Sequence, residues 1–458
     1  MQRDQLGNPV TGERDDTLRA IDDFVGGYLA YETRAERIVR AAEADADSCL
    51  ANAYAGILWM LLEAPEAGQR AAKYLKAAER TAHLATRREQ LNVALLRAWV
   101  EDDAELAMRH CDQAAGEFPR DLVVVKTHQY FEFNRGDAPA MLRSALKVGP
   151  VNADVAYFHG MAAFAYEQCH LLEEAESAAR TALAMRRKEP WAQHALAHVF
   201  LTRGQIDAGA RFLEEAADSW TQLNSFMLTH LWWHLALFYL SQGREGEALK
   251  LYDEHCWGVA KEYSQDQIGA VSLLARFELA GIDVGSRWQD LADHLARRGN
   301  DTVQPFLTLQ YLYGLARAGR PQAEVLLRSV RRHARRAPLF SRQVWQQVAL
   351  PGCEGLYAHA RGEFERAWDR LAPVVPRMRE AGGSHAQRDL FEQILLDAAF
   401  RSGRLCAAQQ MLELRRHADP DGVPLNTALA TVYFKLGLDA LAEQAKSRAA
   451  LTRFRHAS

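Results

Sequence analysis

Turn-forming residues recur in this chain at a fixed interval, and that interval sets the fold class. Asp102, Gly136, His170 and Gly204 follow one another at steps of 34 residues. Gly243, Gly281, Gly319, Gly362 and Gly403 continue the series less regularly, and Gly437 again follows Gly403 by 34. The stretches between them are helix formers in apolar-periodic runs, and strand patterns are weak. A step of 34 is the period of the tetratricopeptide helix–turn–helix unit. Small residues fall where such a unit needs them. Ala107 and Ala114 follow Asp102 by five and twelve, and Ala175 and Ala182 follow His170 at the same offsets, as do Ala442 and Ala449 after Gly437. A helical hairpin cannot bury its apolar face alone, so stacked neighbours must complete the core. The expected fold is all-α: tetratricopeptide-like helical hairpins forming a curved α-solenoid.

The expected domain organisation is a flexible N-terminal arm over 1–14, a single solenoid over 15–452 and a short basic tail over 453–458. AYAGILWMLLEA and ALLRAWVED read as helices, but spacing alone does not phase the repeats of 15–100. The net charge of −4 over 458 residues offers no basic surplus, so nucleic acid is not expected as a partner. No apolar run reaches the roughly 18 residues of a membrane span. The polar opening MQRDQLGNPVTGERDD lacks the apolar core of a signal peptide. The six cysteines are scattered without a CxxC pair. Together these features predict a cytoplasmic chain with reduced thiols. Self-association is left open by the sequence.

The most specific chemical signal is a pair of HxxxH motifs: His194 and His198 in WAQHALAHVF, and His230 and His234 in THLWWHLALF. Residues four apart share one face of a helix, so each pair points one way. Counting each turn glycine as position 15 places His194 and His198 at positions 5 and 9 of their unit, and His230 and His234 at 2 and 6 of the next. Positions 2, 5 and 9 line the concave groove of a tetratricopeptide stack. Trp233, inside the second pair, adds an aromatic wall. Imidazole is the commonest metal ligand and the usual acid–base group near neutral pH, and four such nitrogens suit zinc or another divalent transition metal. Asp253 and His255, in LYDEHCW, are candidates to complete that set or its outer shell. Ala195 and Leu231 stand where a zinc protease carries its glutamate, so that mechanism is not expected. The structural reading is that some of these 16 histidines are satisfied core residues.

A second cluster is GGSHAQRDLF. Gly382–Gly383 ends one helix and Ser384 caps the next, which puts Gln387, Arg388 and Asp389 in its first turn. Arg388 is the candidate cation for a carboxylate or phosphate, because a guanidinium grips either with two bonds, and Asp389 could orient it. The competing reading is helix capping plus a salt bridge. TRREQL, Thr86 to Leu91, is a capping box, with Arg87 and Arg88 expected in solvent. His128, in VKTHQYFEF, lies on an aromatic-rich helix and is a further pocket candidate. No Gly-rich phosphate loop, Cys/His zinc framework or GxSxG elbow is present.

TRREQL, HALAH, HLWWH, LYDEH, GSRWQDL and GGSHAQRDLF occur in this order, and in this the chain resembles the tetratricopeptide repeat protein 38 family from about residue 20 to 440. The resemblance implies an all-helical, soluble, intracellular repeat protein and brings no settled activity. The family pattern also holds a polar Asn-Asp-x-His element, where this chain has Thr308-Leu309-Gln310-Tyr311. That departure speaks against a catalytic role needing those groups.

Three functions remain open at this point. The first is a binding protein whose His- and aromatic-lined groove captures a small-molecule or peptide ligand, with Arg388 on its anionic group. The second is an enzyme acting on a small molecule, with the histidines as metal ligands or as general acid and base. The third is a scaffold for a partner's C-terminal peptide, against which the His, Trp and Tyr content of the groove speaks.

Overall fold

A computed structural model describes residues 2–12 and 14–456; the last two residues of the expected tail lie outside this range. The chain is all-α, of tetratricopeptide-like helical-hairpin type, and the only sheet among the described residues is the two-stranded pair Gln2–Arg3 and Pro9–Val10. Contacts divide it into two units. One comprises Met1–Ala195 with Ser219–Met227, and the other Leu196–Asp218 with Leu228–Ser458. No described helix is long and apolar enough to cross a membrane.

The first unit stacks hairpins such as Arg87–Val100 with Ala104–Glu117, and Leu122–Asn134 with Ala138–Val148. The second is built the same way, ending in Val423–Lys435 with Asp439–Arg455. Every turn position read from the spacing has a positive φ, from +57° at His170 to +83° at Gly281. The chemistry is that of a helix C-terminus: a left-handed residue lets the next amides cap the last carbonyls. At Gly136 (φ +68°) the bonds run from Gly136 N–H to Phe133 O and from Asp137 N–H to Glu132 O, at 3.0 and 2.9 Å. The expected small residues Ala107, Ala114, Ala175, Ala182, Ala442 and Ala449 are all buried. In the unphased opening the left-handed positions are Tyr31 (+56°) and Glu63 (+52°). Neither residue type announces such a conformation, which is why spacing of turn residues did not find them.

Two expectations about the opening segment are revised. Residues 2–12 are not loose: Val10 is fully buried and so is the Asp4 side chain, which meets Arg88 at 2.9 Å. Arg88, expected in solvent, has no exposed surface. Its guanidinium donates to Asp121 at 2.6 Å, to the Tyr54 hydroxyl at 2.7 Å and to the Pro9 carbonyl at 3.2 Å. The capping box itself forms, with Thr86 and Glu89 bonding each other's backbone N–H. Arg87 remains exposed beside Glu117. All six cysteines are free thiols, with Cys49, Cys111, Cys256 and Cys353 buried and Cys406 exposed.

Candidate functional site

The histidine pairs lie on Pro190–Thr202 and Ser225–Gln242, the first helices of two successive hairpins. His198 and His234 are fully buried and His230 nearly so. Their rings meet inside the second unit: His198 and His234 have centroids 4.6 Å apart, and His234 and His230 4.8 Å. One ring nitrogen from each of the three can be chosen so that all lie within 4.8 Å of one another. Burial disfavours the charged imidazolium, and it holds His230 down at about 3. Its ring is therefore neutral over the whole physiological range, with a lone pair to offer.

Trp233 forms one wall. Its indole stacks on His230 at 5.1 Å with an interplanar angle of 12°. The indole N–H is buried and has no acceptor among the described residues, an uncommon state for a buried donor. Behind it lies Arg276, buried, with its guanidinium 5.3 Å from the Trp233 ring centre. Arg276 donates to the Ala386 carbonyl at 2.8 Å and to Ser272. Burial lowers its pKa to about 10. It thus ties helix Ser264–Leu279 to the start of His385–Arg401.

That second helix brings in His385, a residue sequence reasoning passed over. Its ring stands edge-on to His198 at 5.2 Å, so His230, His234, His198 and His385 form a continuous run of rings. The signal for it was present: with Ser384 as N-cap, His385 is the first helical residue. Gln387 belongs to the cap. Its side chain accepts from Ser384 N–H at 2.9 Å, while Ser384 Oγ accepts from Gln387 N–H at 3.2 Å. Arg388 donates to the Gly383 carbonyl and sits one turn beyond His385. Asp389 accepts from Arg415 at 2.5 Å and from Gln393 at 2.6 Å, with Arg276 at 3.7 Å. Burial opposes its ionisation, but the two guanidinium charges overcome that and hold it at about 2.

His194, in the first unit, stacks on Trp191 at 4.5 Å and lies 5.1 Å from Phe164. A π turn over Tyr252–Cys256 adds a residue to its helix, and Asp253 and His255 emerge at the surface. Asp253 gives its oxygens to Arg287 at 2.8 and 2.6 Å, and His255 stacks on Trp232 at 4.1 Å. Neither joins the ring cluster. His128 lines a separate cavity in the first unit with Glu132 and Ser144.

No protein-family model matches the sequence. Among solved structures the chain is similar to a human IFIT1 dimer with m7Gppp-AAAA (13% identity, 98% of this chain and 97% of that one, TM-score 0.41). A human IFIT1 dimer with PPP-AAAA is alike at 13% identity over 98% and 97%, TM-score 0.42. The TPR domain of P58(IPK) is 12% identical over 80% of this chain and 92% of that one, TM-score 0.23. The likeness concerns the helical fold. One expectation is corrected: the similar structures include ones with m7Gppp-AAAA and PPP-AAAA, and a net charge of −4 does not by itself exclude nucleic acid. The physical reason is that net charge averages over the surface, whereas binding follows local charge. Helix Gln322–Arg336 alone carries Arg328, Arg331, Arg332, Arg335 and Arg336 in a chain of net charge −4.

Proposed function

We propose that this chain is a helical-repeat binding protein whose second unit holds a divalent transition-metal ion on His198, His230 and His234. A small ligand would take the remaining position on the ion, with its anionic group held by Arg388. The observation that carries this reading is the approach of three buried ring nitrogens to within 4.8 Å of one another. A tetrahedral zinc site with bonds of about 2.0–2.1 Å places its nitrogens about 3.4 Å apart, so small ring rotations close the gap. Neutral imidazole is the ligating form, and burial keeps His230 in it. The buried Trp233 N–H supports a bound polar group nearby. Arg388 follows His385 by one turn, which sets it on the side of its helix that His385 turns to His198. The order of motifs shared with the tetratricopeptide repeat protein 38 family belongs to this reading.

The enzyme alternative, with these histidines as general acid and base, is less well supported. A group held near 3 stores no proton at neutral pH, where acid–base catalysis needs a matched pKa.

The test is elemental analysis of untagged protein purified without chelators, followed by zinc and nickel titration of the stripped protein. One ion per chain is expected, lost in His198→Ala/His230→Ala with helicity by circular dichroism unchanged. Arg388→Ala should keep the ion and weaken ligands found by screening. Wild-type protein that neither carries nor takes up an ion at micromolar concentrations would overturn the proposal.

A further inference from the structure

The first unit contains a polar cavity that the histidine cluster does not involve. His128 and Glu132 stand four residues apart on helix Leu122–Asn134, so they share a face, and the returning helix Ala138–Val148 brings Ser144 to both. Ser144 Oγ donates to the Glu132 carboxylate at 2.8 Å and lies 3.3 Å from His128 Nδ1. His128 Nε2 is 3.4 Å from the same Glu132 oxygen. The three form part of the lining of a cavity of about 1030 Å³. Its apolar wall is Met108, Leu142 and Leu146, and Arg109 and Arg143 stand at its rim.

The charges here do not cancel internally. Glu132 is buried, yet no Lys or Arg lies within ion-pair distance of it among the described residues. Arg109 and Arg143 likewise have no carboxylate or carbonyl partner among the described residues. By contrast Lys147 is already taken by Asp112 at 2.6 Å, and Asp137 caps the Ala140 N–H at 3.0 Å. An anion alone would leave Glu132 facing negative charge, and a cation alone would leave two guanidiniums unused.

We propose that this cavity binds a small zwitterion, an α-amino acid with an apolar side chain. Its ammonium group sits against Glu132 and Ser144, its carboxylate on Arg143 and Arg109, and its side chain on Met108, Leu142 and Leu146. Guanidinium groups grip a carboxylate with paired hydrogen bonds, and a charged partner for a buried carboxylate removes an otherwise costly state.

Binding is then coupled to a proton. Burial raises Glu132 to about 7, so near neutral pH about half the molecules carry the proton, and an arriving ammonium group expels it. Asp137 and Asp112 favour the protonated form and Arg143 opposes it. Glu105, Arg109, Arg135 and Lys147 also line the cavity. Burial lowers His128 to about 4, so it stays neutral while Glu132 titrates.

The experiment is calorimetric titration of the full chain with L-methionine, L-leucine and L-phenylalanine at pH 7, in two buffers of different ionisation enthalpy. N-acetyl-L-methionine, which lacks the cation, and L-methioninamide, which lacks the carboxylate, serve as controls. At least one amino acid should bind with release of about half a proton. Each blocked derivative, and each of Glu132→Gln and Arg143→Ala, should bind about tenfold more weakly or worse. Arg143 is exposed, so its variant keeps the test valid should Glu132→Gln disturb folding. His198→Ala/His230→Ala should leave this binding intact, which separates the result from the metal proposal. No heat from any of the three amino acids up to about 10 mM, or equal binding of the blocked derivatives, would overturn the inference.

Discussion

Glu132 makes a sharp prediction about stability, because its side chain is 6% exposed and, among the described residues, has only a neutral histidine at ion-pair distance. An ordinary glutamate titrates near 4.5, and burial lifts this one to about 7. Each tenfold change in proton affinity corresponds to about 1.36 kcal/mol, so ionising it in the folded state costs about 3 kcal/mol. The sign follows from linkage. Below 4.5 the carboxyl is protonated folded or unfolded and nothing is lost. As pH rises from 4.5 to about 7 the unfolded state gives up its proton first, and stability falls until the folded group ionises too. Glu132→Gln keeps an acceptor for Ser144 and removes this loss. The variant should match the wild type at about pH 4 and exceed it by about 3 kcal/mol at about pH 8.5. His128 is present in both proteins, so its own titration largely cancels. Because the chain has two units, a single unfolding curve is a poor readout. The assay is hydrogen exchange by mass spectrometry on peptides spanning 122–148, at several pH values with intrinsic exchange rates corrected. A variant less protected than wild type at alkaline pH, or a difference that does not change with pH, would refute the reasoning.

Other consequences are equally concrete. Arg88→Met should destabilise the first unit by about 3–5 kcal/mol, because it strands buried Asp4 and Asp121. Adding Asp4→Asn and Asp121→Asn should recover much of that, read by hydrogen exchange on peptides covering helix Arg87–Val100. Gly160→Ala, in a helix where alanine is ordinarily favoured by about 1 kcal/mol, should destabilise by about 1–3 kcal/mol instead. A Cβ there would come within 2.7 Å of the buried Glu189 carboxylate. Lys126 is buried with its Nζ 3.6 Å from the Tyr31 ring centre, and burial lowers it from 10.5 to about 7. Its contribution to stability should therefore rise with pH between about 7 and 10.5. That slope should be missing from Lys126→Met, measured as the difference between the two proteins. Gly383 has φ +78° and no room for a Cβ beside Phe306, so Gly383→Ala should shift the start of His385–Arg401. Ligand affinity at Arg388 should drop in that variant while the metal content predicted for His198, His230 and His234 stays constant.

What the sequence determined is what helices decide locally. The left-handed turns at Asp102, Gly136, His170 and Gly204 were legible because a 34-residue period repeats a C-terminal cap whose bonds span only a few residues. The Thr86–Glu89 capping box and the Ser384 N-cap form as read, since cap and partner lie within one turn. The shared face of each HxxxH pair follows from the same geometry. Tyr31 and Glu63 were not legible, because their positive φ is imposed by the hairpins they join and not by their own preference. Only tertiary packing decided which rings meet. His385 reaches His198 across many intervening residues, Asp4 and Asp121 converge on Arg88, and Ser144 closes on Glu132 when one hairpin folds back. The same packing turned Asp253 and His255 outward, through a single added residue in a π turn. Side-chain spacing within a helix is a property of the backbone, whereas the register of one helix against another is chosen by volume and burial, which no local pattern records.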